Sequence, residues 1–409
     1  MKYVLRCAGF LLVLTLAILI GRRIIVIRVS DWLSNDDPQR ALAWDDRNPE
    51  ALLALAQKRL EDGRLADAAV GARALLRIAP LQADAFGIIA RTADASGDAV
   101  GARHLFALAL RRAPRDLYAR AWMIGTQLHD SDYMAALHNI DVLLDIAPEH
   151  ERDVLPLLTR IAEQNSTFAT VLGRHFDDQP RWRSAMLNEL LAHATPTAVD
   201  RVFEAIMATK NGLGGAEANQ WYARLEKDGR WDTAYSRWVG RTGVPLGDSM
   251  PPIYNGHFEY STTNGGFDWV MLGKPGVQVQ RIREGSGYVA QVNFLGRRAD
   301  DIGFSQYLLL APGRYKLTFR ARAEDLRSDQ GLRWDIRCMD GAALILTGPR
   351  LSGSFGWKPI SADFDVPTDH CPAQQLALSN PGAAGAAKIV SGQMWFADFS
   401  VAPIPNNDP

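Results

Sequence analysis

Cysteine is scarce in this 409-residue chain, at three residues, and the short motifs that mark common catalytic and metal chemistry are missing. Without His-Glu-x-x-His or Cys-x-x-Cys, and with its histidines scattered, the sequence offers neither a zinc peptidase nor a structural zinc site. Nor is there a Gly-x-Ser-x-Gly elbow, a glycine-rich phosphate loop ending in Lys-Ser/Thr, or a dinucleotide fingerprint. An excess of charge of one sign is absent too: 45 basic residues against 46 acidic ones leave a net −1, which excludes a strongly nucleic-acid-seeking chain. The charges are interspersed, so no acidic or basic tail needs a role, and low complexity is confined to the small-residue loop Gly382 to Ala387. A pair of glycosidase carboxylates is defined by spacing in three dimensions and is not legible in a sequence. The expectation is a protein that is not an enzyme.

What the chain does have is a beat. Ala-Pro recurs at Ala79-Pro80, Ala113-Pro114 and Ala147-Pro148, two steps of 34 residues, and Ala68, Ala102 and Ala136 keep the interval, as do Gly63 and Gly97. Asn48-Pro49-Glu50 predicts a helix start, with Asn as N-cap, Pro where the N–H is orphaned in any helix, and Glu favoured by the helix dipole. Leu52, Leu55, Ala56 and Leu60 form the apolar stripe of that helix, and Gly63 ends it. Leu65, Ala68, Ala69, Ala72, Leu75 and Leu76 form the stripe of its partner before Pro80 stops it. Small alanines at the crossing let two helix backbones approach closely.

On these residues the chain resembles the tetratricopeptide repeat family, whose 34-residue unit is a helix–turn–helix. The second repeat fits the family pattern with Phe86, Ile89, Ala90, Ala102, Phe106, Ala109 and Pro114. The third has Met123, Ala136, Ile140, Leu143 and Pro148, but Ile124 takes the small-residue place, which predicts a more open hairpin. A fourth match stands apart at Trp221, Leu225, Gly229, Ala234 and Trp238. Residues 45–240 therefore read as one all-α solenoid, degenerate over 149–214. The resemblance implies a curved stack whose concave surface holds a protein segment. The alternative is a spacer between a membrane and the C-terminal part.

Residues 1–30 read as a transmembrane signal anchor. Ala8 to Gly21 is uncharged and apolar, flanked by Lys2 and Arg6 before it and by Arg22-Arg23 and a second short run, Ile24 to Ile27, after it. No small-x-small cleavage site follows, so the segment is expected to stay attached as a single-pass helix in a bacterial inner membrane. The positive charges on its two sides nearly balance and do not choose an orientation. Cys7 falls in this segment, leaving Cys338 and Cys371 either as a disulfide or as two buried thiols. A bridge closing a loop of this length contributes on the order of 3 kcal/mol and needs an oxidising compartment, which favours a soluble part facing the periplasm.

Near residue 241 the grammar changes. Turn-formers replace helical periodicity over a linker at 241–252, and short alternating runs separated by Gly, Pro, Asn and Asp follow over 253–402. About eight strands of this kind predict an antiparallel all-β sandwich. Leu332, Trp334, Ile336 and Cys338 alternate in phase, which turns Trp334 toward the core.

The ends of this region carry a second resemblance. Asn255-Gly256-His257-Phe258-Glu259, Gly266-Phe267-Asp268-Trp269 and Met394-Trp395-Phe396-Ala397-Asp398-Phe399-Ser400-Val401 look like the opening and closing strands of jelly-roll carbohydrate-binding modules. The resemblance implies sugar binding through aromatic faces and hydroxyl-reading polar groups. It also implies a structural calcium that would fall to Glu259 and Asp398, although Ala397 stands where the family has a further Asp; no other cofactor is expected. Aromatic candidates are Trp269, Tyr288, Tyr307, Trp334 and Trp357, with Trp269 first because it follows a Gly-Gly turn. Arg314, Lys316, Arg320 and Arg322 share one face of a strand, and Arg333 and Arg337 flank Asp335 on the next. Paired strands would join them in an electropositive surface suited to an acidic polysaccharide.

The whole chain thus reads as a multidomain protein with a transmembrane helix, a tetratricopeptide-like solenoid and a jelly-roll sandwich. The expected role is an adaptor that holds a protein and a glycan in surface or exopolysaccharide assembly or export. A scaffold with a sandwich that binds no sugar is the alternative, and a glycan hydrolase a further one.

Overall fold

The computed structural model describes residues 2–242 and 250–405, with side chains from residue 11 onward. The side chains of Lys2, Arg6 and Cys7, and residues 243–249 of the expected linker, lie outside the described residues. The helices are α1 (Lys2–Leu33), α2 (Pro38–Trp44), α3 (Pro49–Glu61), α4 (Leu65–Ile78), α5 (Ala83–Ala95), α6 (Ala99–Arg112), α7 (Leu117–His129), α8 (Tyr133–Ile146), α9 (Glu151–Gln164), α10 (Ser166–His175), α11 (Arg183–His193), α12 (Pro196–Met207), α13 (Gly215–Lys227) and α14 (Trp231–Thr242). The chain divides into two compact units, Met1–Glu189 and Leu190–Pro409.

In the first unit the 34-residue beat is a repeated turn. The hairpins α3–α4, α5–α6 and α7–α8 each close with the same backbone bond: Arg64 N–H to Arg59 C=O (2.8 Å), Asp98 to Ala93 (2.9 Å) and Asp132 to Gln127 (2.8 Å). The residue before each donor is left-handed, at φ 75° in Gly63, 84° in Gly97 and 63° in Ser131. Glycine takes that conformation freely; Ser131 does so against the cost of its Cβ. Asn48, Asp98, Asp116 and Asp132 cap α3, α6, α7 and α8 by accepting from the third residue on. Ala56, Ala68, Ala90, Ala102, Ala119 and Ala136 are fully buried at the crossings. Between α9 and α10 the left-handed turn is lost: Asn165 both ends α9 and caps α10, its Oδ1 accepting from Phe168 N–H at 2.9 Å. That shorter join takes the sequence out of register.

The N-terminal expectation needs correction. Among the described residues no helix is long and apolar enough to cross a membrane, so the single-pass anchor does not stand, nor does the placement drawn from it, an inner-membrane protein with its soluble part in the periplasm. The reason is in α1 itself. Its described apolar run from Leu11 meets Arg22 and Arg23 well short of the roughly 20 residues a bilayer needs, and Arg28 closes the next run. The end of α1 is instead part of the first unit's packing: Leu33 clusters with Ala41 and Ala51, and Asn48 Nδ2 donates to Ser30 Oγ (3.0 Å) and Asp31 Oδ1 (2.9 Å).

The second unit contains an antiparallel sandwich of β1 (Val270–Met271), β2 (Val277–Glu284), β3 (Gly287–Arg298), β4 (Phe304–Leu308), β5 (Gly313–Arg327), β6 (Arg333–Cys338), β7 (Leu344–Thr347), β8 (Gly353–Val366), β9 (Gln374–Ser379) and β10 (Ile389–Pro403). One sheet has the order β1-β4-β9-β6-β7 and the other β2-β3-β10-β5-β8. Phe258, Trp269, Phe304, Phe319, Trp334, Phe396 and Phe399 fill the space between them. A disulfide joins Cys338, at the end of β6, to Cys371 in the approach to β9.

The fourth hairpin, α13–α14, shares this second unit. Its turn repeats the earlier bond (Arg230 N–H to Leu225 C=O, 2.8 Å), with Gly229 left-handed and Ala234 fully buried. Its α14 aromatics lie on the sandwich: Trp231 meets Tyr307 of β4 at 5.3 Å between ring centroids, and Tyr235 and Trp238 meet Phe267 at 4.9 and 5.8 Å. Gly265 and Gly266 permit the approach. A Cβ on Gly265 would come 2.3 Å from Asn219 of α13, and one on Gly266 2.4 Å from the Trp238 ring. The division between compact units accordingly falls in helical sequence, upstream of 241–252.

Candidate functional site

The residues singled out in the sequence are not brought together. Trp269, the first candidate for sugar stacking, is fully buried; its indole N–H donates to the Asn255 carbonyl (3.1 Å) and its ring packs on Phe258, Phe304, Trp334 and Phe399. This corrects the expectation: a ring at the centre of the core presents no face to a ligand. The buried carboxylate of Asp268 explains the placement. It accepts from Thr263 N–H (2.7 Å), Thr263 Oγ1 (3.1 Å) and Trp269 N–H (2.7 Å), and so folds the Gly-Gly turn inward, while burial pushes its pKa up. Tyr307 lies under Trp231, and burial together with the nearby Glu226 charge raises its pKa. Tyr288 lies under the Arg281 guanidinium, 3.3 Å from the ring centroid.

The basic surface also changes. The arginine rows of β5 and β6 lie in different sheets, so they do not form one surface. Asp335 is 1% exposed and paired with Arg333 (2.9 Å), while Arg337 is exposed. The four cations of the β5 row each meet a carboxylate: Arg314 with Asp365, Lys316 with Asp363, Arg320 with Asp398 and Arg322 with Glu284. The field of the row is largely neutralised. Asp398 gives its two oxygens to nitrogen partners, Oδ1 to His257 Nδ1 (2.8 Å) and Oδ2 to Arg320 Nε (2.8 Å). The Glu259 side chain is exposed, and among the described residues no group of three or more His, Cys, Asp or Glu could hold a metal ion. A guanidinium occupying a calcium ligand's oxygen is a poor start for a cation site, and the donor set does not fit the ion.

What the fold does assemble lies on the outer face of the β2-β3-β10-β5-β8 sheet. Alternation turns Ala290, Val292 and Phe294 of β3 into the core and Val289, Gln291 and Asn293 out; pairing then sets Gln291 opposite Trp395, and Trp395 opposite Arg322. Arg322 stacks over Trp395 at 4.0 Å and reaches Trp357 at 5.6 Å, while Arg320 sits 5.1 Å from the Trp357 ring. Glu284 ties the stack together, accepting from Trp357 Nε1 (3.0 Å) and Arg322 Nη1 (3.2 Å). Val289, Trp395 and Ala397 form a small apolar cluster beneath, with Ile282 and Trp357 at its edge.

Two features of this face suit a ligand. On one side run paired amides, Gln280 Nε2 donating to Gln291 Oε1 (2.7 Å) and Asn293 Nδ2 to Gln278 Oε1 (3.4 Å). On the other a shallow cavity of about 360 Å³ is lined by Thr318, Arg320, Pro359, Ser361 and Asp398.

Comparison with solved structures finds low-scoring similarities to each part of the chain. The chain is similar to a CBM4 structure, at 18% identity over 37% of this chain and 99% of that one, with a TM-score of 0.29. It is also similar to the CBM22-1 xylan-binding domain from Paenibacillus barcinonensis, at 13% identity over 36% and 92% of the two chains, TM-score 0.27. Over the helices it is similar to YrrB, a TPR protein with an unusual peptide-binding site, at 12% identity over 50% and 94%, TM-score 0.27. No family model and no curated protein matches the chain. At these scores the function has to be argued from the side chains.

Trp357 was a candidate from the sequence; Glu284, Gln291, Trp395 and Ser361 were not. Their signal is the outward phase of β2, β3, β8 and β10, where amides, hydroxyls and tryptophans alternate with core residues.

Proposed function

We propose that the sandwich binds a glycan on the outer face of the β2-β3-β10-β5-β8 sheet, and that the protein holds rather than transforms it. The observation that carries this reading is the Trp357–Arg322–Trp395 stack fixed by Glu284 beside amides, hydroxyls and a shallow cavity. A half-buried indole offers an apolar face to a sugar ring, and pre-positioned amides and carboxylates read hydroxyls without first having to be ordered. The helical hairpins of the first unit supply the protein-binding half of the proposal. A groove of about 540 Å³ between α4, α5 and the start of α6 is lined by Leu65, Val70, Arg73, Ile89 and Leu105, with Val70 62% exposed. An adaptor in surface or exopolysaccharide assembly or export is the role that joins the two.

The test is retention of the full chain in gels containing neutral polysaccharides (xylan, β-glucan, galactan) or acidic ones (polygalacturonate, alginate). Retention in at least one gel, reduced severalfold by Trp357→Ala with folding intact, is expected. A chain retained in none of them would leave the sandwich as a second protein-binding module, and release of shortened products would make it an enzyme.

A further inference from the structure

A second cavity lies at one end of the sandwich, away from the stack on the sheet face. It measures about 340 Å³ and is walled by the segment from Pro252 to Tyr260 and by Ser400 and Val401 of β10. That volume is at the lower end of small-ligand pockets, about 300 to 1,000 Å³.

The segment is held far more firmly than an exposed loop requires. The Asn255 side chain takes both backbone groups of Tyr260, accepting from its N–H (3.1 Å) and donating to its carbonyl (2.9 Å). Arg281 donates to the carbonyls of Phe258 (2.5 Å) and Glu259 (2.7 Å). Asn255 and Phe258 are left-handed at φ 54° and 55°, and a Cβ on Gly256 would come 2.1 Å from the Phe399 carbonyl oxygen. Strained non-glycine residues persist only where the surroundings over-determine them. The product of that rigidity is an aromatic pair at the surface: Tyr260, 60% exposed, lies nearly parallel to the half-buried Tyr254, at 14° with centroids 6.4 Å apart.

We propose that this cavity is a second subsite for an uncharged sugar residue of the glycan held on the sheet face, an inference that rests on the sandwich being a glycan binder. Tyr254 and Tyr260 supply apolar faces for the C–H side of a ring, and the Glu259 carboxylate and the His257 imidazole at the rim meet its hydroxyls. No lysine or arginine is among the described residues lining the cavity, which sets it apart from the sheet face with its Arg320 and Arg322 and selects against an anionic sugar. One carboxylate links the two places. Asp398, left-handed at φ 57° where the pairing of β10 with β5 shifts register, holds His257 on the rim of the end cavity with one oxygen and Arg320 on the sheet-face cavity with the other. Neighbouring units of one chain can therefore occupy both.

Isothermal titration of the full chain with neutral hexasaccharides (β-1,4-linked glucose, xylose and galactose) tests this. At least one is expected to bind. Tyr260→Ala and Glu259→Gln, both at exposed side chains and expected to keep the thermal midpoint, should each weaken it about tenfold, the scale of one aromatic face or one charged hydrogen bond. Binding lost in Trp357→Ala but unchanged in both end variants overturns the second subsite and leaves the sheet-face reading intact. Binding lost in the end variants but unchanged in Trp357→Ala makes the end cavity the sole site and overturns both the sheet-face reading and the second subsite. A wild-type chain that binds none of the hexasaccharides overturns the proposal, while the acidic-gel experiment still decides the sheet face.

Discussion

The two outer faces of the sandwich begin from the same strand grammar and end in opposite situations. On the β1-β4 side, outward Tyr307 is covered by Trp231 of the α13–α14 hairpin, with Phe267 alongside beneath Tyr235 and Trp238. On the β2-β3-β10-β5-β8 side, outward Trp357 remains half-buried beside an open cavity. An outward aromatic is therefore structural on one face and available on the other. Alternation assigns a residue to a face; only the neighbouring element decides whether that face sees water.

Removing Trp238 tests the covered side most severely. The side chain is 3% exposed and packs on Tyr254 and Phe267, so Trp238→Ala is expected to cost about 3–5 kcal/mol of second-unit stability, read as a shift of the urea midpoint. Gly266→Ala should follow at about 2–3 kcal/mol, because it combines a left-handed backbone with a clash into the same ring. Unchanged midpoints in both would mean that the hairpin does not belong to the folded unit.

The second test uses pH. Glu226 of α13 has a buried Oε1 without a hydrogen-bond partner among the described residues, and burial raises its pKa from 4.5 to about 7. The folded state then holds the proton more tightly than the unfolded one. Stability is full below pH 4.5, falls as pH rises toward 7, and stays reduced above it, by an amount on the order of 3 kcal/mol. Glu226→Gln should flatten that slope between pH 5 and 7. A slope that survives the substitution would assign the pH dependence to another group.

How much of this was legible depends on whether the information was local. The Asn48 cap, the left-handed turns at Gly63 and Gly97 and the inward phase of Trp334 are set by a few adjacent residues, and each is found where the pattern puts it. Ser131 keeps the turn of the third hairpin without the glycine that announces it. Trp269 follows a Gly-Gly turn that looks like an exposed loop in sequence, whereas the Asp268 carboxylate is consumed in folding that turn and drives the indole inward. The two arginine rows are consecutive in sequence yet in separate sheets, since strand pairing in a sandwich is set by topology that no local signal records. The anchor reading rests on an apolar run, its flanking charges and the missing cleavage site, and the interrupting arginines outweigh all three.

The smallest effect tests the charge argument. Arg314 and Lys316 pair with Asp365 and Asp363 at 3.4 and 3.7 Å, with all four side chains about half exposed or more. Water screens such pairs, so Arg314→Ala and Lys316→Ala should each change stability by no more than about 0.5 kcal/mol. Because their charges are already balanced along the strand, neither should alter retention in polygalacturonate, unlike Trp357→Ala if that gel retains the chain. A loss of acidic-gel retention in Lys316→Ala at low salt, restored to no difference at high salt, would show that the row acts through its field after all, and would move the contact surface from the tryptophan stack toward the β8 edge.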